Sequence, residues 1–329
     1  MKKIISVILI LTMLFSVSSC KDTEEKATES AMCLDTIVTV TCYADTREKA
    51  SEAAKAAISE VQRIELLLSA YIETSDIYKI NQNGANTPVK VSVETLSVLA
   101  KALEFCEKTN GAFDITVKPL VELWNIKAEN PQVPTDEQIG VALEKVDYKS
   151  VIIEDGYVRF LKEGMKIDLG GAAKGYAADK VFEVLKNHGI KNALIDLGGN
   201  IYAMGRSESD APWKIGLQDP DKERGQHFYV MELSDKTCVT SGSYERYFEK
   251  DGKIYHHIID PKTGYPADGN LLSVSVSGDS SFEADMLSTA IFVMGTEEFE
   301  KIKSNFNYDK YVVVTNNNGT SNHAVYEKQ

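Results

Sequence analysis

Asp285 and Thr289 lie four residues apart in Glu283-Ala-Asp-Met-Leu-Ser-Thr289, a spacing that brings both side chains to one face of a helix. Carboxylate and hydroxyl oxygens are hard donors, suited to Mg²⁺ or Ca²⁺ rather than zinc. Two ligands do not complete a coordination sphere, so a backbone carbonyl or a substrate's phosphates must supply others. The same pair also suits a helix-capping acid beside a core-facing hydroxyl. A second segment, Asp168-Leu-Gly-Gly-Ala-Ala-Lys-Gly175, reads as a strand ending in glycines and a helix with Lys174 in its first turn. Free N–H groups and the helix dipole favour an anion at such a junction, and Lys174 adds a point charge. The segment is neither a Walker A loop nor a G-x-G-x-x-G turn; taken alone, a tight turn with a solvated lysine accounts for it.

His256-His-Ile-Ile-Asp-Pro261 runs into Lys262-Thr-Gly-Tyr-Pro266. Strand alternation puts His257 and Ile259 on one face and Ile258 on the other. Histidine is the natural proton carrier near neutral pH, although a histidine satisfied by backbone beside a Pro turn fits as well. Asn110-Gly-Ala-Phe-Asp-Ile-Thr-Val-Lys-Pro-Leu120 sets Ala112, Phe113 and Asp114 just after a helix, with Trp124 beyond. An aromatic and an acid there could hold a flat ring, or serve as core and cap. Tyr71, after Leu67-Leu-Ser-Ala70, is a similar case, and Thr240-Ser-Gly-Ser-Tyr-Glu-Arg246 has the small-residue density of a ligand-lining loop. Neither a G-x-S-x-G elbow nor H-E-x-x-H occurs.

The elements that must position these residues alternate between helical and strand periods. Residues 35–43 read as a strand, 46–69 and 92–109 as helices, the second stopped by Asn110-Gly111. A capping box at Thr135-Asp-Glu-Gln138 opens a third helix. A hairpin over 151–160 turns at Asp155-Gly156. Residues 165–169 read as a strand, 172–187 as a helix closed by Gly189, and 193–197 as a strand ending in Gly198-Gly199. Strands over 214–217, 229–233 and 271–277, a hairpin at Asp251-Gly252, helices over 282–294 and 296–305, and a hairpin at Asn318-Gly319 complete the reading. Helices mixed with antiparallel hairpins make the class α+β, in one bilobed unit over residues 32–329. Asp-Leu-Gly-Gly occurs twice, at 168–171 and 196–199, too short a match for a solenoid repeat.

Composition narrows the function classes. Hydrophobic residues make up 43% of the 329-residue chain, enough to exclude wholesale disorder. Only residues 4–17 are continuously apolar, which excludes a multi-span membrane protein. The formal charge is −13, and no Lys/Arg cluster offers nucleic acid a basic face. An acidic chain also repels phosphates, so a phosphate-bearing substrate needs a local metal, lysine or row of N–H groups. Lys2 and Lys3 precede the apolar run, and Val17-Ser-Ser-Cys20 ends it. That order resembles the bacterial lipobox. Residues 1–19 are expected to be a signal peptide, Cys20 to carry lipid, residues 20–31 to be a flexible tether, and the protein to be exported and anchored to a bacterial membrane. The remaining cysteines, Cys33, Cys42, Cys106 and Cys238, lack metal-ligand spacing. With Cys33 and Cys42 placed on one strand, too far apart to bridge, all four read as buried small hydrophobes.

The order of the segments carries a resemblance. Met32 with Asp35-Thr36, Ser75-Asp-Ile77 near Asn81, Gly111-Ala-Phe-Asp-Ile-Thr-Val117 with Pro119-Leu120, Asp168-Leu-Gly-Gly with Lys174-Gly-Tyr, Leu197-Gly-Gly-Asn200, Thr240-Ser-Gly, His257-Ile-Ile-Asp-Pro with Thr263-Gly, and Ala284-Asp with Ser288-Thr289 resemble the ApbE family of FAD:protein FMN transferases. The resemblance implies a T-fold-like core that binds FAD and Mg²⁺ in a cleft. It implies transfer of FMN from FAD to a threonine of an acceptor protein, with release of AMP. Acceptors in the family are subunits of Rnf or Na⁺-translocating NADH:quinone reductase complexes and other flavinylated reductases; some members hydrolyse FAD to FMN and AMP instead. Carried over by position, Asp285, Thr289 and the Gly171 carbonyl would hold the metal. Met32, Tyr71, Ala112, Phe113, Asp114, Lys174, His257 and Ile258 would contact FAD. His257 is the expected base, with Asp260 orienting it or standing in for it. An FAD pyrophosphatase and a non-catalytic FAD-binding lipoprotein are the competing readings.

Overall fold

A computed structural model describes residues 24–317 and 320–328; the signal peptide and Cys20 assignments lie outside the described residues. The chain opens with strands β1 (Glu25–Cys33) and β2 (Thr36–Ala44), then helices α1 (Arg47–Leu68) and α2 (Asp76–Asn83). Short strand β3 (Val89–Lys90) leads to helices α3 (Val93–Lys108), α4 (Lys118–Trp124) and α5 (Asp136–Leu143), then to the hairpin β4 (Val151–Glu154) and β5 (Tyr157–Phe160). Helix α6 (Ala173–Asn187) precedes β6 (Asn192–Leu197), β7 (Asn200–Met204), β8 (Trp213–Gln218), β9 (His227–Leu233) and β10 (Lys236–Gly242). The hairpin β11 (Tyr247–Lys250) and β12 (Lys253–His256), strand β13 (Leu271–Gly278), helix α7 (Ser281–Ile302) and strands β14 (Lys310–Asn317) and β15 (Thr320–Glu327) complete it.

Eight strands form one antiparallel sheet in the order β1-β2-β6-β7-β10-β13-β14-β15. Alternation explains its inner face: Val38, Val40 and Cys42 of β2 and Ala193, Ile195 and Leu197 of β6 are buried. They lie in the main core with the apolar sides of α1, α6 and α7. The β8–β9 ribbon packs Trp213, Leu217 and Met231 against Tyr43, Ala203 and Cys238 from other strands of the sheet. A third cluster joins Leu120 and Trp124 of α4, Ile139 and Ala142 of α5, and Ile259. The mixed α+β class is therefore as expected.

Two elements differ from the sequence reading. Residues 25–31, assigned to the tether, are part of β1. Its outward residues are polar because an edge strand needs only one apolar face; Thr28 pairs with Thr41 and Ser30 with Thr39 through their hydroxyls, while Ala27 and Cys33 face the core. Cys33 and Cys42 thus sit on adjacent strands rather than one, and all four described cysteines are free and buried. Residues 165–169 are extended but form no strand. The side-chain amide of Asn81 takes the place of a strand neighbour, accepting from the Ile167 N–H at 2.6 Å and donating to its carbonyl at 2.9 Å. The two helices expected after Phe282 both form: the α7 span divides at Gly295, whose φ of 80° is not helical.

Candidate active site

The N-termini of α6 and α7 are tied to each other. Helices α1, α3, α5 and α7 each begin with a Ser or Thr side-chain cap, but α6 starts at Ala172 without one. Its N–H donors must find another acceptor. Asp285 of α7 supplies it: Oδ2 accepts from the Gly175 N–H at 2.9 Å, while Oδ1 faces Lys174 Nζ at 3.9 Å. The favour is returned by Asp179 of α6, which accepts from the N–H groups of Ser281 and Phe282 at 2.7 and 3.1 Å. Such close approach requires Gly175, where a Cβ would lie 2.2 Å from the Ser281 carbonyl oxygen and 2.7 Å from Asp285 Cβ. Gly175→Ala is expected to cost about 2–4 kcal/mol, an overpacking clash that backbone cannot absorb cheaply. Thermal unfolding measures that loss, and an unchanged Tm would show the two helices to be loosely joined.

Asp285 is buried, and burial pushes its carboxyl above the usual range against the pull of Lys174 and the Gly175 N–H. One helical turn on, Thr289 Oγ1 lies 3.2 Å from the Asp285 carbonyl and 3.2 Å from Ser241 Oγ on β10. Ser241 also meets Ser288 Oγ at 2.8 Å. A Cβ on Gly171 would be 3.1 Å from Thr289 Oγ1 and 3.3 Å from the Phe113 ring. The glycine turn, Phe113 and the Asp285–Thr289 pair therefore meet at one place. Phe113 is itself held by an edge contact with Phe105, with centroids 5.9 Å apart.

The histidine segment approaches the same residues, since the Lys174 charge acts on His257. Strand β12 ends at His256, whose ring packs edge-on against Phe292 of α7 and whose Nε2 lies 3.0 Å from the Ala267 carbonyl. His257 is next, with Nδ1 3.2 Å from the Arg246 carbonyl, which also accepts the His257 N–H at 3.1 Å. A carbonyl has no proton to give, so Nδ1 carries the hydrogen and Nε2 keeps its lone pair. Burial, and then the charge of Arg246, lower the His257 pKa to about 3, and Lys174 acts in the same direction. Lys174 and His257 thus share one electrostatic neighbourhood. Ile258 joins the main core and Ile259 the third cluster, so the expected alternation persists past the strand's end.

Asp260 does not orient His257. Its Oδ1 accepts from the Lys262 N–H at 2.9 Å and its Oδ2 from Thr263 Oγ1 at 3.1 Å, tying down its own turn. The orienting group is the Arg246 carbonyl, and a backbone carbonyl leaves no mark in a sequence. Asp114 is likewise spent locally, accepting from the Thr116 N–H and hydroxyl at 2.7 and 2.6 Å; burial raises its pKa against those bonds. Ala112 is buried beside it. Met32 is the outlying member of the set: it is 72% exposed and stands opposite Ile37 on the outer face of the β1–β2 hairpin. The hairpin's turn does reach the cleft, since Asp35 pairs with Arg246 at 2.9 Å and with Lys127. Tyr71 is 72% exposed, with one ring face set over Lys118 Nζ. Ser241 and Arg246 fall within the candidate loop at 240–246, though neither has a role assigned from the sequence. Lys118 enters only as part of the Asn110–Leu120 segment.

The two Asp-Leu-Gly-Gly copies prove to be turn chemistry. Asp168 Oδ1 accepts from the Gly170 N–H at 2.7 Å and Asp196 Oδ1 from the Gly199 N–H at 2.9 Å, the Asx bonding that starts a turn. The second copy packs Gly198, φ 67°, onto Thr36, leaving no room for a Cβ.

The donor set suits a hard cation. Asp285 Oδ1 and Thr289 Oγ1 are hard oxygen donors one helical turn apart, with the Gly171 turn beside Thr289 and the Lys174 charge beside Asp285. Among the described residues, no cluster of three or more His, Cys, Asp or Glu side chains could hold a metal. An ion here would complete its coordination with water or substrate oxygens.

The chain is similar to known proteins over most of its length. A model described as the ApbE family matches residues 34–312. The FAD:protein FMN transferase of Treponema pallidum is 38% identical over 262 residues, covering 74% of this chain and 72% of its own. That of Haemophilus influenzae is 32% identical, covering 100% and 98%. The crystal structure of the ApbE protein from Thermotoga maritima superposes with a TM-score of 0.81 at 36% identity, covering 93% of this chain and 97% of that one. The flavin transferase ApbE from Vibrio cholerae gives 0.80 at 28% identity, covering 92% and 97%.

Proposed function

The chain belongs to the ApbE family, and from that premise we propose that it moves the FMN half of FAD onto a threonine hydroxyl of an acceptor protein and releases AMP. The observation that carries this reading is the proximity of Gly171 to Thr289, of Lys174 to Asp285, and of the Lys174 charge to His257. In the transfer, the threonine oxygen bonds to the FMN phosphorus and the bond from that phosphorus to the AMP phosphate oxygen breaks. His257 Nε2, the free lone pair of a neutral ring, accepts the threonine proton. Lys174, in the first turn of α6, would face the diphosphate and offset the negative field of an acidic chain. The exposed ring of Tyr71 offers a face for the flavin, while Phe113 is buried behind Gly171 and would shape the floor of the site. Mg²⁺ is the proposed metal, held by Asp285, Thr289 and the Gly171 carbonyl; it would neutralise charge developing on the diphosphate.

The acceptor is proposed to be an extracytoplasmic subunit of an Rnf or Na⁺-translocating NADH:quinone reductase complex, or another flavinylated reductase. Lipid on Cys20 would keep the enzyme on the same membrane. Incubation with FAD, Mg²⁺ and an acceptor domain tests the activity. In-gel flavin fluorescence of the acceptor is the expected result; free FMN without label would mean a pyrophosphatase, and neither product a binding protein. The metal has its own readout. Saturating Mg²⁺ binds only the folded chain and, at a hundred times its Kd, adds about 2.7 kcal/mol of stability. The Tm of the wild type should rise by several degrees, and that of Asp285→Asn should not move.

A further inference from the structure

Lys118 is a charged side chain with almost no water, 1% exposed at the start of α4. Its ammonium stands 3.2 Å from Asp168 Oδ2 and 3.7 Å from the centroid of the Tyr71 ring. The groups facing its Nζ are the Asp168 carboxylate and the Tyr71 side chain. Burial opposes its charge, yet Asp168 and Tyr71 outweigh burial and the pKa is raised, so the ammonium stays charged. Enclosing a cation this way costs several kcal/mol, and an apolar side chain of similar length would suit a purely structural site better. Tyr71 shows the opposite imbalance. It is a large ring left 72% exposed on a loop, with one face occupied by a cation and the other outward. Asp168, the third member, opens the glycine turn that meets Thr289 and Phe113.

We propose that Lys118 is a positioning residue for the flavin ring: anchored by Asp168, it pins Tyr71 by a cation–π contact and so sets the outer ring face against which the isoalloxazine stacks. This rests on the flavin-transferase reading. It assigns Lys118 to recognition of the flavin half of the dinucleotide and gives it no part in holding the AMP half. A desolvated cation–π contact of this kind is worth about tenfold or more in an equilibrium constant.

The test compares FAD with ADP, which lacks the flavin, on the full folded chain. Binding of each is measured by titration for wild type, Lys118→Met, Lys118→Arg, Tyr71→Ala and the double variant Lys118→Met/Tyr71→Ala. Lys118→Met should weaken FAD about tenfold, leave ADP within about twofold, and keep Tm equal or higher. Lys118→Arg should recover most of the loss, because a guanidinium also stacks on a ring. The double variant should bind FAD no worse than Tyr71→Ala alone, since both remove one contact. Unchanged FAD binding in Lys118→Met would overturn the assignment. So would equal losses for FAD and ADP with a lowered Tm, the signature of a structural lysine. Failure of the wild type to bind FAD would instead remove the flavin-transferase reading beneath it.

Discussion

Replacing Asp285 by Ala or Asn is expected to lower flavin transfer by at least about a thousandfold while the protein remains folded. The two oxygens of this carboxylate have separate tasks. Oδ2 caps α6 through the Gly175 N–H, and Oδ1 is free to face a ligand beside Lys174. Asn keeps an oxygen for the cap and removes the charge, so its stability cost is small. Ala also orphans the Gly175 donor, for about 1–3 kcal/mol. Neither change approaches the loss of electrostatic stabilisation at a phosphoryl group in transfer, where one preorganised group is worth about 3–4 kcal/mol and a metal site more. Asp179 is the internal control. It caps α7 as Asp285 caps α6, but both its oxygens are taken by the Ser280–Phe282 turn. Asp179→Asn should therefore cost stability and spare the rate. Labelling of an acceptor domain over time, with Tm alongside, checks all three variants; normal turnover by Asp285→Asn would remove the metal assignment.

His257→Ala should reduce the transfer rate at saturating FAD by about 10²–10⁴-fold, the usual worth of a positioned general base. The pH dependence separates this role from mere packing. An ordinary histidine loses half its basic form at 6.5, but His257 is lowered to about 3 by burial and the Arg246 charge. The transfer rate should accordingly stay flat from pH 8 to about pH 5.5, with no acid limb near 6.5. The same shift has a sign in stability. Below 6.5 the unfolded chain takes up a proton that the folded chain refuses until about pH 3. The contribution of His257 is thus complete above 6.5 and is lost as the pH falls from there toward 3. His257→Gln should flatten that part of the stability profile. An acid limb centred near 6.5 in the wild-type rate, persisting in His257→Gln, would assign the base to another group.

What the sequence disclosed followed from local rules. The Asp285–Thr289 spacing is legible because helical periodicity alone puts residues four apart on one face. The Thr135–Gln138 capping box and the Asp155-Gly156 turn are equally local, and both formed as read. The proximity of Gly171 to Thr289, or of Lys174 to His257, is tertiary, and only the resemblance to a family anticipated it. Where local signals misled, packing had overruled them. The apolar run at 165–169 looks like a strand, but it has no strand ladder: the Asn81 amide pairs with Ile167 and a backbone bond joins Asp168 to the Ile115 carbonyl. Asp260 looks like a partner for His257, but a carboxylate ahead of a Pro-x-x-Gly turn is claimed by the turn's own donors. The polar stretch at 25–31 looks unstructured because an outer edge strand needs apolar residues on one face only.

If Cys20 carries lipid as proposed, that last strand would limit where the enzyme can work. With β1 beginning at Glu25, a lipid on Cys20 would be joined to the folded body by only residues 21–24, a leash of about 14 Å at full stretch. The catalytic body would then graze the bilayer surface instead of swinging above it. Its targets would be threonines held at headgroup height, and freely diffusing proteins would be served less well. Inserting a long Gly-Ser spacer before Glu25 would widen that zone.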